Sequence, residues 1–102
     1  MAEKIIAIIA NGRPLEPELA RKAVRPASTI IAVDGGALSC KESGIKPDFI
    51  IGDFDSITRE LIEHYKDVEI IQVKDQYSTD MEKALNFASS LSPDNLIILS
   101  AF

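Results

Sequence analysis

The chain is poor in several of the residues on which small domains and enzymes often depend. It has one cysteine, Cys40, in 102 residues. No internal disulfide can form, which fits a reducing cytosol and gives no hint of a cysteine metal site. Cys40 reads as a packed residue in a short helix rather than a catalytic thiol. There is one histidine, His64, among Glu63, Lys66 and Asp67. It reads as a solvated surface group, and no Ser-His-Asp constellation can be assembled around it. No apolar run approaches the ~18 residues that a membrane span needs. Met1-Ala2-Glu3-Lys4 leads into an apolar run with an acid at its front and no small-residue cleavage pattern, unlike a signal peptide. The net charge is −5 and no basic patch is visible, which argues against nucleic acid as a partner. An acidic protein can still hold a polyanion when metal ions stand between the two sets of negative charge.

What is present is an ordinary globular composition, 46% hydrophobic and 26% charged, in one domain's length. Apolar β-branched runs alternate with helical stretches. Lys4 to Ala10 (KIIAIIA) is continuously apolar, as a strand covered on both faces would be. Thr29 to Val33, Phe49 to Ile51, Val68 to Val73 and Asn95 to Leu99 share that character. The first predicted helix, Glu16 to Arg25, has Pro17 in its first turn and stops before Pro26, with Leu15, Leu19 and Ala23 on its inner face. Gly36 to Ser43 is a short helix ended by Gly44 as a left-handed cap. Thr58 to Lys66 has Thr58 as N-cap and Ile57 set to staple against Ile62. Thr79 to Ser90 opens with the capping box Thr79-x-x-Glu82 and carries the stripe Met81, Ala84, Leu85, Ala88. The expected fold is therefore α/β and Rossmann-like: three layers, a mainly parallel sheet of about five strands, helices on both faces. In such folds ligands bind at the carboxyl ends of the strands.

Those ends carry the unusual residues. Asn11-Gly12 follows the first strand and Asp34-Gly35-Gly36 the second. Gly52-Asp53-Phe54-Asp55-Ser56 follows the third, and Asp75-Gln76-Tyr77-Ser78-Thr79-Asp80 the fourth. If residues 53–55 are extended, Asp53 and Asp55 point the same way with Cα atoms roughly 6.5 Å apart, which suits one hard cation such as magnesium. An acidic turn and helix cap is the structural alternative. Asp34 on a neighbouring strand end favours the metal reading. Asp34-Gly35-Gly36 is either a strand-to-helix turn or a close backbone approach to a phosphate. Ser78 and Asp80 are not used by the capping box and sit where a nucleotide could reach. Lys74 and Arg13 are lone basic residues at loop positions.

Taken together and in this order, four segments resemble the thiamine pyrophosphokinase family. They are Ala10-Asn11-Gly12, Val33-Asp34-Gly35-Gly36-Ala37, Lys46-Pro47-Asp48-Phe49-Ile50-Ile51-Gly52-Asp53-Phe54-Asp55-Ser56 and Asp75-Gln76-Tyr77-Ser78-Thr79-Asp80. The resemblance implies a magnesium-dependent transfer of pyrophosphate from ATP to thiamine, giving thiamine diphosphate and AMP, in a cytoplasmic homodimer. It implies that Asp34, Asp53 and Asp55 hold magnesium and the ATP phosphates. It places Asn11, Gly12, Gly35, Gly36, Gln76, Ser78 and Thr79 at the nucleotide, and Asp80 among the catalytic acids, its role open between metal, nucleotide and substrate. Residues 1–102 would form the nucleotide-binding domain. The family continues into a β-rich thiamine-binding domain that this chain lacks, so the chain is expected to be a shortened form, inactive alone. Two rival readings stand beside it. An apolar strand followed by Asp53-x-Asp55 also resembles the first motif of aspartate-nucleophile phosphatases, though that leaves Asp34-Gly35-Gly36 and Ser78-Thr79-Asp80 unexplained. The other is a non-catalytic nucleotide-binding or dimerisation module.

Overall fold

A computed structural model describes residues 3–10, 16–52, 59–72 and 80–99. The order of elements is β1 (Ile5–Ile9), α1 (Pro17–Val24), β2 (Thr29–Val33), α2 (Gly36–Ser43), β3 (Phe49–Gly52), α3 (Arg59–His64), β4 (Glu69–Gln72), α4 (Asp80–Ser90) and β5 (Asn95–Leu99). All five strands are parallel, in the order β4-β3-β2-β1-β5. The alternation of apolar runs and helices thus gives the expected α/β sheet.

The continuous apolar runs divide by strand alternation into two cores. On one face Ala7, Ile9, Ala32 and Ile50 pack with Ala20 and Val24 of α1, Ala37 and Cys40 of α2, and Tyr65 and Val68 just beyond α3. On the other face Ile6, Ile8, Ile31, Val33 and Ile51 pack with Ala84 and Ala88 of α4. Ile6, Ile8, Ile31, Ile50 and Ile51 are fully buried. Each such side chain contributes roughly 1.5–3 kcal/mol of transfer free energy. The stripe Met81, Ala84, Leu85, Ala88 does face the sheet, with Met81 and Leu85 half-buried at its margin.

The expected inner face of α1 is corrected. Leu19 is 55% exposed, whereas Ala20 and Val24 are buried. Leu15 lies outside the described residues. The two stripes differ by about 100° of rotation about the helix axis. Arg21 accounts for the choice: its guanidinium donates to the Ser43 carbonyl at 2.9 Å, tying α1 to the carboxyl end of α2. Unsatisfied carbonyls and negative dipole charge make that end a natural site for a cation. Ile62 is also exposed, and Ile57 and Thr58 lie outside the described residues. Gly44 ends α2 in the left-handed conformation, φ 70°, as expected.

The helices' sides decide where a site can form. Residues after α3 pack on one face and α4 packs on the other. The chain therefore leaves β3 and β4 toward opposite faces, although the strands are neighbours and Gly52 pairs with Gln72 at their carboxyl ends. In open α/β sheets such a divergence is where ligands bind.

Candidate functional site

Asp34 is the residue that the fold places most tellingly. Its N–H continues the ladder by donating to the Ile51 carbonyl at 2.9 Å, and its own carbonyl accepts from Ala37 in the first turn of α2. Between those bonds the backbone turns through φ 44°. Aspartate is one of the few non-glycine residues that visit this region, and such backbone conformations concentrate at functional sites. The residue is only 5% exposed. Its carboxylate lies over Gly52, the last residue of β3. A Cβ built on Gly52 would fall 1.6 Å from Asp34 Oδ1. The absent side chain at Gly52 is what lets a carboxylate from β2 occupy the end of β3.

Gly36 has a different reason to be glycine. A Cβ there would lie 2.0 Å from the carbonyl oxygen of Ile9 and 2.8 Å from its carbon. The first turn of α2 is thus pressed against the end of β1, where Ala10 donates to Leu99 of β5 at 2.9 Å. Gly35 forms the N-cap of α2, with φ −60°. Asp80 opens α4 beyond the end of β4. The structure therefore brings Asp34, Gly35, Gly36 and the start of α4 to one edge of the sheet. Asn11, Gly12, Asp53, Asp55, Gln76, Ser78 and Thr79, like Arg13 and Lys74, lie outside the described residues.

The buried carboxylate of Asp34 is a hard oxygen donor of the kind magnesium prefers, held by a cradle that only glycine leaves open, so the residues present fit such an ion. Among the described residues no group of three or more His, Cys, Asp or Glu side chains comes together. Of the expected set Asp34, Asp53 and Asp55, Asp34 alone lies among the described residues.

The remaining polar candidates fall elsewhere. Cys40 is fully buried and burial pushes its thiol up to about 12, so it is protonated and unreactive at neutral pH. His64 is exposed, edge-on to the Tyr65 ring with centroids 4.6 Å apart. It borders a cleft of about 280 Å³ between the far ends of α2 and α3, with Lys41, Lys46 and Asp67. Asp48, within the motif that carried the resemblance, sits at the opposite edge. Its Oδ2 accepts from the Ile30 N–H at 2.8 Å, and its own N–H donates to the Ile30 carbonyl at 2.7 Å. One buried polar residue escaped the sequence reading: Lys83 of α4, 9% exposed. Its signal was positional, since it stands next to Ala84 and one turn before Phe87, on the side of α4 that faces the sheet.

These features define a doubly wound α/β domain that sets Asp34, Gly35 and Gly36 at the carboxyl ends of its strands. Residues 20–102 match the model of the thiamin pyrophosphokinase catalytic domain, and the chain belongs to that family. Solved structures agree. Thiamine pyrophosphokinase from Bacillus subtilis is 34% identical with a TM-score of 0.72, the match covering 93% of this chain and 46% of that one. The Geobacillus thermodenitrificans thiamin pyrophosphokinase is 29% identical with a TM-score of 0.74, over 92% of this chain and 45% of that one. The Candida albicans thiamin pyrophosphokinase is 28% identical with a TM-score of 0.72, over 84% and 31%. The chain thus spans less than half the length of these three relatives. No described helix is long and apolar enough to cross a membrane.

Proposed function

We propose that the chain supplies the nucleotide- and magnesium-binding part of a thiamine pyrophosphokinase, which transfers pyrophosphate from ATP to thiamine. The observation that carries this reading is the Asp34 carboxylate lying over Gly52, in a chain of this family. Asp34, Asp53 and Asp55 would hold magnesium, which when bound supplies charge neutralisation at the phosphate oxygens. Gly35 and Gly36 give the phosphates access to backbone at the start of α2. Asn11, Gly12, Gln76, Ser78 and Thr79 line the nucleotide from the neighbouring loops.

In the reaction the thiamine hydroxyl oxygen bonds to the β-phosphorus. The bond from that phosphorus to the oxygen bridging it to the α-phosphate breaks, and AMP leaves with the electron pair. One of the carboxylates, Asp80 among them, accepts the hydroxyl proton. Such transfers pass through a loose transition state, so orientation and charge count for more than a strong base. Thiamine itself, and a second copy of the chain in a homodimer, are partners on this reading.

The phosphatase reading of Asp53 and Asp55 accounts for neither the family match nor a third carboxylate at the same edge. The test is calorimetric titration with a non-hydrolysable ATP analogue, with and without magnesium, on wild type and Asp53→Asn. Magnesium-dependent binding that Asp53→Asn abolishes is the expected result. A folded wild-type chain that ignores the analogue at every magnesium concentration would overturn the reading. Binding is the right readout because the chain covers 46% of the Bacillus enzyme.

A further inference from the structure

Lys83 lies on the buried side of α4, at a height along the helix that its neighbours fix. Phe87, one turn further on, packs edge-on against Phe49, with ring centroids 4.9 Å apart. Phe49 is the first residue of β3 and Gly52 the last. From Phe49 to Gly52 is roughly 10 Å along a strand. From Phe87 back to Asp80 is also about 10 Å along a helix. The start of α4 therefore stands level with Gly52, and the Lys83 backbone one turn below it. Helical side chains lean toward the helix N-terminus. The Lys83 stem accordingly climbs the α4 face of the sheet toward the carboxyl edge of β3. Asp34 reaches that same strand end from the other face, its alternation along β2 placing it with the α2 layer.

A lysine that is 91% buried is unusual, and Lys83 is partnered within the fold. The edge it climbs toward is the acidic ligand edge of the proposed function. We propose that Lys83 is a polyphosphate-anchoring residue of this site, its ammonium donating to a non-bridging oxygen of the β- or γ-phosphate. This rests on the nucleotide reading above and adds the cation of the chain's own to it. Asp34 from one face and Lys83 from the other then grip the same polyphosphate across the end of β3: the carboxylate through the metal, the ammonium directly. A point charge on a long stem suits a phosphate group that must shift as a bond to it forms or breaks.

The test compares Lys83→Met, which keeps the apolar stem and removes the charge, with Lys83→Arg and wild type. Three probes are titrated in the presence of magnesium: the ATP analogue, inorganic pyrophosphate and AMP. In Lys83→Met the affinities for the analogue and for pyrophosphate should fall about 10- to 100-fold, the range for a lost hydrogen bond to a charged group. AMP, which lacks both outer phosphates, should bind unchanged, and Lys83→Arg should recover most of the analogue's affinity. Should Lys83→Met fail to fold, Lys83→Gln keeps a polar tip in the same surroundings and takes its place. Analogue binding at wild-type strength in the uncharged variant overturns the proposal. So does an equal loss for AMP and the analogue, which would mark Lys83 as structural. If wild type binds neither the analogue nor pyrophosphate, the nucleotide reading fails first and takes this proposal with it. If wild type binds both and only the substitution is silent, the proposal fails alone.

Discussion

The two edges of the sheet use aspartate in opposite ways. At the amino-terminal edge Asp48 and Asp94 are clamps. Asp48 exchanges two hydrogen bonds with Ile30, and Asp94 does the same with Lys4: its N–H donates to the Lys4 carbonyl at 2.8 Å and its Oδ2 accepts from the Lys4 N–H at 2.7 Å. Both follow a proline, Pro47 and Pro93, and both precede a strand. Their carboxylates are committed to backbone donors of the neighbouring strand. At the carboxyl edge Asp34 is buried, set on left-handed backbone, and admitted by a glycine on the next strand. A carboxylate is costly to bury, so one held buried at a strand end is a candidate functional group. The acid's type is the same at both edges. What differs is the backbone that carries it and the glycine that admits it.

The comparison breaks most severely at Gly36. An added methyl would meet the Ile9 carbonyl at 2.0 Å, and backbone on both sides cannot yield. Gly36→Ala should cost about 3 kcal/mol or more, the upper range for overpacking, and in a domain this small prevent folding at 37 °C. Chemical denaturation reads this directly. A stable Gly36→Ala would mean that α2 does not press on β1.

Asp34→Asn comes next and separates the edges by function rather than stability. Asparagine keeps the shape and tolerates φ of 44°. The melting midpoint should hold, while magnesium-dependent binding of the ATP analogue falls about 100-fold or more, since even groups one layer out from a metal are worth 10- to 100-fold. Gly52→Ala should act in between. The atom met at 1.6 Å is the tip of the Asp34 side chain, which can swing away. Binding should drop as for Asp34→Asn, with a stability cost of only about 1 kcal/mol. Equal binding by wild type and Gly52→Ala would show that the carboxylate's place over β3 is immaterial. At the other edge, Asp48→Ala should cost about 1 kcal/mol from its lost hydrogen bond and leave nucleotide binding unchanged. Weakened binding there would erase the distinction between the edges.

Much of this was legible in the residues. Continuous β-branched runs are buried between two helical layers, so the parallel α/β sheet follows from them. Asp34, Gly35 and Gly36 were legible as a strand-to-helix turn at the carboxyl edge, and the structure puts them there. Three things were not. Leu19 lost the inner face of α1 because Arg21 fixes the helix's rotation through a carbonyl distant in sequence, which periodicity cannot register. Asp48 was visible only as a residue of the motif, and its structural role was not, because its bonds reach a residue eighteen positions away. Lys83 was passed over because a charged residue beside an apolar stripe normally marks a solvated flank. Only the level of Phe87 against Phe49 reveals that this flank faces the sheet.

The smallest effect concerns the layer beneath α2 and α3, toward the amino-terminal edge. Burial lifts the Cys40 thiol from its ordinary 9.0 to about 12. Burial first, and the neighbouring Cys40 second, lift the Tyr65 phenol from 10.0 to about 12. The phenol donates to the Ile45 carbonyl at 3.2 Å, a bond that only its neutral form can make. Both groups are acids that hold their protons more tightly when folded. Their contribution to stability is complete below pH 9.0, shrinks as the unfolded groups begin to ionise, and is gone once the pH passes about 12. Stability should therefore decline in alkaline solution. Cys40→Ala should delay the onset of that decline to about 10.0, where Tyr65 alone begins to act, and should also lower the pH at which the Tyr65 tyrosinate band appears, since one of its two causes is gone. Urea melts at stepped alkaline pH, with tyrosinate absorbance followed in parallel, give both readings. An onset unmoved by Cys40→Ala would mean that the thiol is not held in its neutral form by this layer, and that the amino-terminal half of the core is wetter than its packing indicates.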